Sequence, residues 1–141
     1  MPEIFEIIPG LFQGSHLRQL PDFIEAVLNV DWTDAHYKTD TLKGYTHMPI
    51  LDGPDPGEEW LKNVLKTLTE YRANKWNIYI HCQAGMSRSV FATAALLIRE
   101  QHMAPQAAIA LINSKSGYAD PAPAFILALR EMYENEVAKA A

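Results

Sequence analysis

Nine consecutive residues, His81-Cys82-Gln83-Ala84-Gly85-Met86-Ser87-Arg88-Ser89, hold most of the reactive chemistry in this chain. A thiol opens the run, a guanidinium nearly closes it, and a glycine stands between them. If this stretch turns tightly from a strand into a helix, consecutive N–H groups and the positive end of the helix dipole converge on one point. That point suits a doubly charged anion such as a phosphate monoester. Gly85 would allow a backbone conformation closed to residues with a Cβ. Arg88 offers a planar fork that can bond two phosphate oxygens together, which a lysine could not copy. Residues Gln83, Ala84, Gly85, Met86, Ser87 and Arg88 are therefore the expected phosphate-binding stretch.

A cysteine at the mouth of such a loop is expected to react as a thiolate at neutral pH. Cys82 could then attack phosphorus in line and form a phospho-cysteine, dividing hydrolysis into two easier steps. The Ser89 hydroxyl is placed to donate a hydrogen bond to the sulfur and help it leave in the second step. His81 is expected to support the loop from behind through its ring nitrogens, without transferring protons. Expulsion of the alcohol needs an acid, and a carboxyl on a nearby loop is the natural supplier. Asp52 and Asp55 are the candidates. Asp52 is favoured, because Asp55 before Pro56 has the character of a helix N-cap.

The elements that would position these groups can be read from apolar patterning. Residues 4–8 and 11–13 read as short strands around the Pro9-Gly10 turn, and residues 27–30 and 45–50 as further strands. Residues 53–57, Gly-Pro-Asp-Pro-Gly, form a loop. Trp60, Leu61, Val64, Leu65, Leu68 and Tyr71 recur at helical spacing and should face a core. A short strand at 78–81 precedes a helix over about 89–101 that is apolar on nearly every side, which marks a central helix. Pro105 and Pro121 sit where helices could begin, and Phe125, Leu129, Met132 and Tyr133 give the last helix its inward stripe. This order predicts an α/β fold, a central sheet of about four to five strands flanked by helices, in a single domain over residues 1–141.

Composition narrows the classes. The chain has 141 residues, 48% hydrophobic and 21% charged, with a net charge of -5, so no basic field draws nucleic acid or an acidic membrane. The opening MPEIFEIIPG lacks the basic start and long apolar stretch of a secretory signal. A soluble, cytoplasmic protein is expected, with a monomer the simplest assembly. Cys82 is the single cysteine, which excludes an intrachain disulfide and a cysteine-rich metal site. His36, His47, Asp31 and Asp34 lack metal-ligand spacing and read as surface or turn residues. No metal or organic cofactor is implied.

The motif His81-Cys82-x-x-Gly85-x-x-Arg88-Ser89 resembles the signature of the protein tyrosine phosphatase superfamily, and Gln83-Ala84-Gly85 and Ser87-Arg88-Ser89 are similar to its dual-specificity branch. The resemblance extends to residues 8–15, 27–30 and 48–52. It implies that Cys82, Arg88 and Asp52 are nucleophile, phosphate clamp and general acid. It also implies a shallow pocket open to phosphotyrosine and phosphoserine or phosphothreonine in proteins, or to a small phosphate ester. Neither Ala84 nor Met86 is a lysine, which argues against a phosphoinositide. Residues 114–117 and 121–123 depart from the family's usual Arg and Pro-Asn before the last helix. Two other classes compete. A sulfurtransferase would leave the Asp52 segment without purpose, and a non-catalytic phospho-binding module would not need both Cys82 and Arg88.

Overall fold

The computed structural model describes residues 3–140; Met1, Pro2 and Ala141, at the ends of the expected domain, lie outside the described residues. Strands β1 (Ile4–Ile8), β2 (Leu11–Gly14), β3 (Ala26–Asn29), β4 (Gly44–His47) and β5 (Ile78–His81) form one sheet in the order β1-β2-β5-β3-β4. Helices α1 (Glu58–Ala73), α2 (Arg88–Gln101), α3 (Pro105–Ser116) and α4 (Pro123–Ala140) complete the fold. Strand β1 pairs antiparallel with β2, and the other pairings are parallel. The hairpin turns at Pro9-Gly10, where Gly10 takes φ 82°, the positive value that favours glycine second in such a turn.

The parallel register has a direct functional consequence. Gly14 pairs with His81, His81 with Asn29, and Asn29 with His47, so four strands end level with one another. The segments that follow them emerge along one edge, where ligands bind in open α/β sheets. The central strands β3 and β5 are buried throughout, as strands covered on both faces must be. Ile78, Ile80, Ala26 and Leu28 face the large core beneath the helices. The alternate residues Val27 and Tyr79 face a smaller cluster capped by Leu17, Leu20, Ile24, Tyr37 and Leu42, which belong to connecting segments. Helices therefore pack on one face and irregular chain covers the other.

Helix α2 is buried from Ser89 to Ile98, in keeping with its nearly uniform apolar sequence. Phe91 stacks between Trp60 of α1, at 5.7 Å, and Phe125 of α4, at 4.5 Å, joining three helices through one ring. Among the described residues, no helix is long and apolar enough to cross a membrane.

Besides one-residue shifts at β2, β3 and α2, three boundaries differ from the sequence expectations. Strand β4 stops at His47 rather than residue 50, because Pro49 has no N–H for the ladder; Met48 and Ile50 still bond to Asn29 and Val30 carbonyls. Helix α1 starts at Glu58, after Gly57 at φ 98°, so Asp55 is not its N-cap; the Asp55 carboxylate instead accepts the Gly57 N–H at 2.9 Å. Helix α4 starts at Pro123 and not Pro121, since a residue preceding proline is pushed away from helical geometry, and here that residue is Ala122.

His81, the last residue of β5, is fully buried. Its ring stacks on Tyr79 at 5.3 Å and meets the Tyr37 ring edge-on at 5.6 Å. Burial pushes its pKa down to about 4, so the ring is neutral at physiological pH. A neutral buried histidine binds fewer protons than the same residue in the unfolded chain between about 4 and 6.5. Its contribution to stability is thus present above pH 6.5 and is lost as pH falls toward 4. Urea unfolding should show stability dropping over this window by an amount on the order of 3 kcal/mol. A His81→Asn variant should flatten the slope; an unchanged slope would assign the effect to another group.

Candidate active site

Strand β5 delivers His81 to the level edge, the chain turns through Cys82 to Ser87, and α2 begins at Arg88. The Cys82 sulfur sits at the bottom of this turn, 2% exposed. The Gly85 N–H donates to Sγ at 3.3 Å, and Ser89 Oγ lies 3.1 Å from it. One backbone dipole and one hydroxyl therefore converge on the sulfur, at the positive end of a 14-residue helix.

The turn is possible because residue 85 is glycine. Its φ is 74°, and a Cβ there would stand 2.7 Å from the Gly14 carbonyl carbon and 2.8 Å from the Ser15 nitrogen. The loop is thus pressed against the end of β2, and the His16 N–H donating to Gln83 O at 3.1 Å binds the two together. On the opposite side, Asp120 N–H donates to Met86 O at 2.7 Å and Ala122 N–H to Ser87 Oγ at 2.9 Å. The 118–122 segment, which runs into the departure from the family pattern at residues 121–123, supports the loop through its backbone. The Gln83, Ala84 and Met86 side chains are exposed, whereas Gly85 and Ser87 are buried. His81 Nδ1 lies 3.2 Å from Cys82 O and Nε2 lies 3.3 Å from the Tyr37 hydroxyl, behind the loop.

Arg88 is half-committed. Its Nη1 pairs with Asp31 Oδ1 at 3.1 Å and donates to Ile50 O at 3.3 Å. Among the described residues no bond engages Nε or Nη2, so two donors of the fork remain for an anion. Asp31 was expected at the surface or in a turn; instead it is 5% exposed and fixes Arg88. It is itself held by local bonds. Its N–H donates to Asn29 Oδ1 at 2.9 Å, its Oδ1 accepts from Trp32 N–H at 2.8 Å, and His47 Nε2 lies 2.7 Å from its carbonyl. The available signal was its position, immediately after the buried run at 27–30 and on the functional edge.

Asp52 is exposed on the loop after β4, two residues beyond the carbonyl that Arg88 grips. No hydrogen bond or ion pair occupies its carboxylate among the described residues. Asp55 is tied to its own turn, so the preference for Asp52 rests on a turn bond and not on a helix cap.

Gln13 was not anticipated. It is fully buried in β2, and its Nε2 donates to Gly85 O at 2.9 Å and Ser89 Oγ at 2.8 Å. Strand alternation puts it on the same face as Leu11, toward the helices. An amide on a core-facing strand position was the legible sign.

A family model described as dual specificity phosphatase, catalytic domain, matches residues 16–135. Two curated relatives are named phosphatidylglycerophosphatase and protein-tyrosine phosphatase 1. The mouse protein is 33% identical over 72 residues, covering 51% of this chain and 37% of its own length. The human protein is 28% identical over 95 residues, covering 67% of this chain and 44% of its own length. The chain thus spans less than half the length of these relatives. A crystal structure of PTPMT1 in complex with PI(5)P superposes with a TM-score of 0.84 at 21% identity, covering 99% of this chain and all of that one. From the segment after β2 into α4, therefore, the chain belongs to the dual specificity phosphatase catalytic-domain family of the protein tyrosine phosphatase superfamily.

Proposed function

We propose that the chain is a cysteine-dependent phosphatase that hydrolyses phosphate monoesters through a phospho-cysteine. The observation that carries this reading is the convergence of the Gly85 N–H and the Ser89 hydroxyl on Cys82 Sγ, in a turn that ends at Arg88, whose guanidinium is anchored by Asp31 through one nitrogen only. The family assignment supports it. In the first step the loop N–H groups and Arg88 hold the phosphoryl oxygens, and the Cys82 thiolate attacks phosphorus. The S–P bond forms as the P–O ester bond breaks, and Asp52 gives its proton to the departing oxygen. In the second step the Asp52 carboxylate takes a proton from water as the water oxygen attacks phosphorus. The S–P bond breaks, its electron pair returns to sulfur, and Ser89 stabilises the thiolate that leaves.

The substrates that fit this reading first are phosphotyrosine and phosphoserine or phosphothreonine in proteins. One observation favours a second reading, a phosphate ester carried on a lipid. Trp32, 63% exposed, follows the Arg88 partner Asp31, and exposed Leu51 follows Ile50; exposed Met86 and Tyr118 line one small cleft at the loop. These side chains give the segments around the loop an apolar surface. The relatives' names, which include a lipid phosphatase, agree with this second reading. A panel of phosphopeptides and lipid phosphates in mixed micelles separates the two by kcat/KM.

Cys82→Ser should abolish hydrolysis of p-nitrophenyl phosphate while phosphate still binds; appreciable residual turnover would remove Cys82 from the nucleophile role. Asp52→Asn should slow alkyl phosphates by roughly a hundredfold or more. p-Nitrophenyl phosphate, whose leaving group needs little protonation, should suffer much less. Equal losses on both substrates would transfer the acid role to Asp55 or to no carboxyl.

A further inference from the structure

We infer that Gln13 is a positioning residue for the second half of the reaction, holding the Ser89 oxygen so that its hydrogen can turn to the Cys82 sulfur when the S–P bond breaks. The inference rests on the phospho-cysteine reading above and adds to it a residue from a distant strand.

Counting hydrogens carries the argument. A serine hydroxyl has one hydrogen and two lone pairs. Ser89 Oγ has three polar neighbours: Gln13 Nε2 at 2.8 Å, Cys82 Sγ at 3.1 Å and Gly14 O at 3.3 Å. An amide nitrogen only donates, so Gln13 occupies a lone pair. A carbonyl oxygen only accepts, so Gly14 competes with the sulfur for the single hydrogen. Charge decides the competition. A thiolate takes a charge-assisted hydrogen bond in preference to a neutral carbonyl. Phosphorylated sulfur is a poor acceptor, and the hydrogen then rests on Gly14 O. Breakdown of the intermediate returns an electron pair to sulfur, and the hydrogen swings back without the oxygen moving.

The Gln13 amide is suited to fixing that oxygen. Both of its hydrogens are engaged, one by Ser89 Oγ and one by Gly85 O at 2.9 Å. A flip of the amide would set two carbonyl oxygens against each other at Gly85. The residue is fully buried, and its Oε1 has no hydrogen-bond partner. Burying an amide with one end unpaired is costly, and an apolar side chain would serve packing alone better. The Gly85 carbonyl thus fixes which way the amide points, and the amide fixes the Ser89 oxygen.

The test is rapid-mixing hydrolysis of p-nitrophenyl phosphate by the intact chain and by Gln13→Leu, Gln13→Met, Ser89→Ala and the Gln13→Leu/Ser89→Ala pair. The burst of p-nitrophenolate reads formation of the phospho-cysteine, and the following linear phase reads its breakdown. In Gln13→Leu the burst rate should persist and the linear phase should slow by roughly tenfold or more, the loss of one hydrogen bond to a charged group. Inhibition by inorganic phosphate should be unchanged. Adding Gln13→Leu to Ser89→Ala should cause no further slowing, because the amide acts through that hydroxyl. Gln13→Met gives the same readings from an unbranched, uncharged side chain should Leu fail to fold. Equal slowing of both phases with weaker phosphate inhibition would overturn the inference in favour of a purely structural role, as would additive losses in the pair. Turnover by Cys82→Ser, or none by the intact chain, would instead overturn the functional reading beneath it.

Discussion

The approach of Gly85 to the Gly14–Ser15 backbone is the constraint on which the rest of the site depends. No Cβ fits there, so the turn between β5 and α2 closes onto the end of β2 with main chain against main chain. That closeness brings Gln13 within reach of Gly85 and Ser89, sets Cys82 at the bottom of the turn, and aims the start of α2 at the same point. Parallel pairing of β2 with β5 is what makes the contact available. Their register ends both strands at Gly14 and His81, so the backbone leaving one meets the turn leaving the other.

Two devices keep the turn from relaxing. On one side it is bonded to β2, and on the other to the backbone of residues 120 and 122. Arg88 is pre-oriented by Asp31 and Ile50 O, which leaves it less side-chain entropy to lose when an anion arrives. The Arg88–Asp31 pair is largely shielded from water, and isolated buried charges would be costly. The pair is tolerated because backbone and Asn29 bonds surround the Asp31 segment.

The loop from Cys82 to Arg88 was legible in the sequence because its chemistry is contiguous, with nucleophile, glycine and clamp in one turn. The central helix was legible because α2 is apolar on nearly every side, and the strand at Ile78–His81 because it is short, apolar and followed at once by the motif. Asp31 and Gln13 were not read as site residues, since their partners lie far away in the chain. Gln13 and Ser89 are 76 positions apart, and only the sheet order brings them together. Asp31 looked like an ordinary turn carboxylate because local sequence does not reveal which strand end faces which loop. The boundary errors at Asp55 and Pro121 came from weighing each residue alone. Gly57 and Pro123, a few positions on, decide where those helices begin.

The level ends of the four parallel strands divide the molecule into parts that can change at different speeds. The connections after β3 and β4 carry Trp32, Leu51 and Asp52 across the open edge; Asp31 and the Ile50 carbonyl hold Arg88, and Tyr37 backs His81 from behind the reactive turn. Substitutions in those connections can reshape what is recognised while the sulfur keeps its neighbours. The turn itself has no such freedom, being wedged between β2 and the 118–122 segment. A scaffold built in this way can acquire new specificities by drift at its margins without rebuilding its reactive centre.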